Sequence, residues 1–98
     1  MDNKNNTEDG LEKYFVGEII WKNFVKGYKG IKTNNTNELL NLLNHNIELT
    51  NVIEGIVGEN SINWIHRNIP ALNNLRPIDC TNNEKLLKRL KECLLRMP

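Results

Sequence analysis

A chain of 98 residues has room for one domain with one modest core, which argues against a large cofactor-binding enzyme. Hydrophobic residues make up 39% and charged residues 26%, enough to fold but leaner than the usual apolar share of roughly 45 to 50%, so a small fold completed by a partner is expected. A formal net charge of +1 supplies no whole-molecule field to draw the chain to nucleic acid or to an anionic membrane.

Residues Met1 to Gly10 hold three Asn and three acids against a single apolar residue, too little to repay the entropy of ordering, and they read as a disordered tail. This start is unlike a signal peptide, and no run approaches a membrane span, so the expected location is cytoplasmic. From Leu11 the apolar residues Tyr14, Phe15, Trp21, Phe24, Val25 and Tyr28 recur at three- and four-residue steps, the mark of one helical face. Gly17 weakens the middle of that pattern, and Gly27 and Gly30 suit its end. Lys22, Lys26 and Lys29 share the opposite stripe.

Asn34, Asn35 and Thr36 are N-cap candidates for a second helix, with Glu38 three residues after Asn35 as in a capping box. Leu39, Leu40, Leu42, Leu43 and Ile47 supply its buried face. A third helix begins around Thr50 and carries Val52, Ile53, Ile56 and Val57 up to Gly58, a stop or a kink. Ser61, Ile62, Trp64 and Ile65 extend the apolar face until Pro70 closes it. Between Asn68 and Cys80 the chain is dense in turn residues, Pro70, Asn73, Asn74 and Pro77, which predicts a fixed elbow; Asn is the non-glycine residue that best tolerates positive φ. Thr81 stands three before Glu84, a capping box for a last helix with Leu86, Leu87, Leu90, Cys93, Leu94 and Met97 on one stripe. With no period-two alternation and no hairpin signal, the fold class is all-α, a bundle of about four to five helices.

Charge alternates along this string. Lys13 to Thr33 carries five Lys against Glu18, Asn34 to Asn60 four Glu and no base, and Glu84 to Pro98 five bases against two acids. The acidic middle can pair with its two basic neighbours, each exposed pair contributing only about 0 to 1 kcal/mol. The chemical inventory is poor. His45 and His66 fall on different predicted helices without a Cys or Asp at ligand spacing, so surface or capping roles are expected for both. Cys80 precedes a helix start, where a thiol can be acidified, but a structural thiol is the favoured reading, and Cys93 belongs to the apolar stripe. Without a phosphate-cradling loop, zinc spacing or hydrolase serine motif, the expectation is no enzyme, no cofactor and no metal. A DNA reader would need a basic recognition helix; Glu38 to Glu48 offers Asn41, Asn44, His45 and Asn46 but no base, leaving the neighbouring Lys22, Lys26, Lys29 and Lys32 as its phosphate contacts. The aromatics Trp21, Trp64, Tyr14 and Tyr28 serve either a core or an interface.

The run Ile56-Val57-Gly58-Glu59, then Ile62, Trp64-Ile65, Ile69-Pro70-Ala71-Leu72-Asn73-Asn74-Leu75-Arg76-Pro77-Ile78-Asp79 and the closing Leu-rich helix resembles the toxin-binding domain of Xre, MbcA and ParS-like antitoxins over residues 53–97. In that family a helix ending in Trp-Leu leads through a Pro-containing turn and a Leu-Gly-Gly elbow to a Pro-Leu-Asp helix start; here Asn73 and Asn74 stand where the glycines do. The resemblance implies an antitoxin of a bacterial toxin–antitoxin pair that occludes a RES-type toxin acting on NAD. It makes Trp64, Pro70, Leu72, Asn73, Asn74 and Pro77 the structural elbow and Arg76, Asp79, Lys88, Arg89, Arg96 and Met97 the partner contacts. The chain then divides into the tail (1–10) and one helical domain (11–98), with N-terminal helices over 11–50 and the antitoxin-like region over 51–98. Homodimerisation through the exposed part of the first helix is a further expectation. The alternatives are a small DNA-binding regulator using Lys22, Lys26 and Lys29, or a non-catalytic adaptor or immunity protein.

Overall fold

In the computed structural model, which describes residues 9–98, Gly17 divides the first predicted helix in two. Its φ of 105° lies where only glycine is comfortable. A single 3-10 turn, Leu11–Tyr14, precedes it, and helix α1 (Glu18–Lys26) follows and stops at Gly27. The predicted tail lies outside the described residues up to position 8, but its last two residues are docked: the Gly10 N–H donates to Glu12 Oε2 at 3.0 Å, and Asp9 faces Lys85 at 3.5 Å.

Asn35 stands at the N-cap position of helix α2 (Thr36–Leu42), as expected, but its side chain makes no capping hydrogen bond. Thr33 Oγ1 accepts from the Asn35 N–H at 3.0 Å while the Thr33 N–H donates to Thr36 Oγ1 at 2.8 Å, a turn of hydroxyl-to-backbone bonds leading into the helix. Both hydroxyls also donate to the buried carboxylate of Glu54, at 2.6 and 2.9 Å. The helix ends at Leu42, earlier than predicted, because Asn44 and His45 turn the chain in the left-handed region (φ 59° and 60°). Asn46 then caps α3 (Ile47–Val57), its Oδ1 accepting from the Leu49 N–H at 2.9 Å. So α3 starts three residues before Thr50, and Ile47, expected in the core, sits on its first turn 63% exposed.

Gly58 (φ 78°) ends α3 as the sequence predicts, and a 3-10 turn at Gly58–Asn60 leads into α4 (Ser61–Ile65). The elbow follows. Pro70 opens the turn Pro70–Leu72, Asn73 and Asn74 are both left-handed (φ 56° and 65°), and the Ile69 N–H donates back to the Leu75 carbonyl at 3.0 Å. A second turn, Pro77–Asn82, carries the chain past Thr81, whose hydroxyl donates to the Ile78 carbonyl at 3.0 Å. The cap of α5 (Glu84–Arg96) is therefore Asn83, the first extended residue after that turn, accepting from the Leu86 N–H at 3.0 Å. Among the described residues there is no β-strand; the fold is all-α, with Ile69 and Leu75 forming an isolated bridge.

The core lies between α3 and α5. Leu49, Val52 and Ile53 from α3 meet Leu86, Leu90, Cys93 and Leu94 from α5, with Trp21, Leu39, Leu43, Ile65 and Leu72 closing the sides. Each fully buried Leu contributes about 1.5 to 3 kcal/mol. α5 is the most enclosed element: the Leu11–Tyr14 turn, α1, α3 and both elbow turns pack on it. That enclosure buries Arg89, Lys91 and Glu92 along with its apolar stripe.

Candidate partner-binding surface

The elbow residues hold structure. Trp64, Leu72 and Pro77 are buried while Pro70 is exposed at the turn, and Asn68 Nδ2 donates to the Asn74 carbonyl at 2.6 Å. These contacts fix the corner from which Arg76 and Asp79 project. Those two are engaged with each other: Arg76 Nε and Nη2 donate to the Asp79 carboxylate at 2.8 and 3.0 Å. The Arg76 hydrogen bond holds the Asp79 carboxyl below its ordinary value.

The remaining expected contacts do not form one surface with that corner. Lys88 is exposed midway along α5. Arg89 is wholly buried, a correction to its assignment as a contact, with Nε donating to Glu12 Oε1 at 2.7 Å and Nη2 to Glu12 Oε2 at 3.3 Å. Arg96 and Met97 lie at the far end of α5, a helix of 13 residues and so about 20 Å long.

That far end is where the structure gathers exposed apolar surface. The Arg96 guanidinium stacks over the Tyr14 ring at 5.4 Å and is held by Glu92 at 2.8 Å. Lys91 draws α1 to the same place: its Nζ donates to Glu18 Oε2 at 3.1 Å and lies 5.9 Å from the Phe15 ring and 5.4 Å from the Trp21 ring. Around these contacts Tyr14, Val16, Ile19, Ile20 and Met97 stay exposed, Ile19 at 79%. Gly17 causes this, because a continuous helix would send the stripe of Leu11 and Phe15 on through Ile19, whereas the break resets α1 so that Trp21 turns inward and Ile19 and Ile20 outward. The pair Ile19 and Ile20, absent from the predicted apolar stripe, was the signal in the sequence.

The residues considered for nucleic acid are dispersed in role. Lys22 Nζ donates to Glu48 Oε2 at 2.6 Å, and that bond lowers the Glu48 carboxyl, which also accepts from Trp21 Nε1 at 3.3 Å. Lys26 and Lys29 are exposed. The predicted recognition helix Glu38 to Glu48 is two elements separated by a left-handed turn, and Asn44 Nδ2 is turned toward Thr81 Oγ1 at 3.4 Å. His45 is exposed, and His66 Nδ1 pairs with the Ile62 carbonyl at 2.8 Å, closing its own helix. Cys80 and Cys93 are free and buried; burial pushes the Cys80 thiol up to about 12 and raises that of Cys93, the opposite of an activated nucleophile. Among the described residues no group of three or more His, Cys, Asp and Glu could hold a metal ion, and no helix is long and apolar enough to cross a membrane.

Comparison with protein-family models, with curated proteins and with solved structures gave no match.

Proposed function

We propose that this chain is a non-catalytic protein-binding module of the antitoxin kind, which inhibits a RES-type, NAD-acting toxin by covering its pocket. The observation that carries the reading is the cluster of exposed Tyr14, Val16, Ile19, Ile20 and Met97 beside Arg96. A chain this short has little apolar surface to spare, and large exposed side chains gathered at one place mark a binding surface. The elbow supports the antitoxin part: the resemblance asks for two residues at positive φ where Asn73 and Asn74 stand, and both adopt it.

The binding surface in this reading is the joint between residues 14–20 and the end of α5, with Arg96 and Met97 as its share of the expected contacts. Lys13 and Arg96 flank Tyr14, and the exposed Glu18 stands beside Ile19. The test is the rate of NAD consumption by a RES-type toxin with and without this chain. Stoichiometric inhibition is expected, lost in the double variant Ile19→Asp/Ile20→Asp, whose positions are exposed and tolerate a polar side chain. Undiminished NAD consumption with the wild-type chain in excess would overturn the antitoxin reading. Full inhibition by the double variant would overturn the surface.

A further inference from the structure

A cleft of about 410 Å³ opens between the chain leaving α1, the outer side of α2 and the first turns of α3. It shares no residue with the apolar patch. We propose that this cleft binds a small anionic amphiphile, a carboxylate carried on an apolar body, with the body against Ile31, Leu40 and Ile47 and the carboxylate toward Lys29 and Lys32.

Its size falls within the range of roughly 300 to 1,000 Å³ typical of small-molecule sites, which pair a mainly apolar wall with a few polar groups. Two observations select the ligand. Two lysines and no acidic residue line the cleft, and neither lysine forms an ion pair among the described residues, unlike Lys22, Lys85 and Lys91. Ile47 stands at its edge 63% exposed, an isoleucine on a first helical turn where water gains nothing from it. Cationic lip and apolar wall together describe a fatty-acid-like carboxylate better than a neutral or cationic molecule.

The experiment titrates octanoate, and separately its neutral counterpart octanamide, into the full isotopically labelled chain while amide resonances are followed by NMR. Saturable shifts at Gly30, Thr36 and Asn51 are expected with Val16 and Ile19 unmoved, and octanamide should bind about tenfold more weakly, as loss of two exposed charge contacts implies. Lys29→Gln/Lys32→Gln should reduce octanoate affinity by a similar factor and leave octanamide unchanged. Ile47→Asp, at an exposed helix start that accepts an acid, should abolish binding of both while preserving the spectrum of the core. Shifts centred on Val16 and Ile19, shifts that do not saturate, equal affinity for the two probes, or undiminished octanoate affinity in the lysine or isoleucine variant would each overturn the proposal.

Discussion

Replacing Glu12 with Gln should remove a large fraction of the stability of this domain, although Glu12 lies close to its N-terminal end. Arg89 is wholly buried and its partner carboxylate is only 9% exposed, with N–O distances of 2.7 and 3.3 Å. Burial by itself would raise the Glu12 pKa; the hydrogen bond from Arg89, the Gly10 N–H and the guanidinium charge outweigh it and hold the carboxyl at about 2. The gap from an ordinary glutamate, at about 1.4 kcal/mol per pH unit, corresponds to roughly 3 kcal/mol. An independent route agrees: removing one partner of a buried ion pair costs about 3 to 5 kcal/mol, because the other charge is left uncompensated. Against a total of about 5 to 15 kcal/mol this is substantial, and it should lower the melting temperature by about 15 °C. The sign with pH follows from the depressed pKa: the contribution is complete above the ordinary glutamate range and is lost as pH falls from about 4.5 toward 2. Urea unfolding of wild type and Glu12→Gln, followed by fluorescence of the buried Trp21 and Trp64 at a series of pH values, measures both. The two curves should differ by about 3 kcal/mol at pH 7 and converge in acid. Equal stability at pH 7, or a difference that does not shrink in acid, would refute the reasoning.

Gly10→Ala should cost about 1 to 3 kcal/mol, since its Cβ would come 2.6 Å from Nε of the immobilised Arg89; thermal denaturation reads this directly, and an unchanged melting temperature would show that Arg89 can yield. Asn74→Val should lose about 1 to 2 kcal/mol, the cost of a β-branched side chain at φ 65°, while Asn74→Gly should stay within about 1 kcal/mol of wild type. Cys80 and Cys93 should resist iodoacetamide at pH 8 in the folded chain and alkylate promptly in denaturant, as burial and a thiol pKa of about 12 for Cys80 require; mass spectrometry that finds native Cys80 modified would contradict its placement.

What the sequence made legible follows from the range of each signal. The elbow could be read because its determinants are local: a proline fixing φ, then two asparagines tolerating positive φ. Gly58 as the stop of α3 is the same kind of statement. Caps were less readable where several competent residues crowd together. Asn34, Asn35 and Thr36 are all competent N-caps, and the turn that leads into the helix at Asn35 is fixed from afar by Glu54, whose buried carboxylate takes the Thr33 and Thr36 hydroxyls from 21 and 18 residues away. Likewise Thr81 and Asn83 both precede Glu84 at usable distances, and the 3-10 turn carried on from Pro77 decides for Asn83.

The candidate surface was the hardest part to foresee, and α5 shows why. Its basic residues suggest a face presented to a partner, and a solvated face is what amphipathic periodicity ordinarily implies. The chain supplies that partner itself: Glu12 takes Arg89, Glu18 takes Lys91, and Phe15 and Trp21 lie under the Lys91 ammonium. These pairings join residues 73 and 77 positions apart, and no window of sequence periodicity spans that distance. With the N-terminal segment lying on the cationic side of α5, the apolar surface left exposed there is on the segment's own outer side. That is Tyr14, Val16, Ile19 and Ile20, with Arg96 and Met97 projecting past the end of the cover. Occlusion of a target by α5 alone would first require Glu12 and Glu18 to release Arg89 and Lys91, at the cost of uncovering a buried guanidinium. Binding through the outer side, as the proposed function has it, requires no such step.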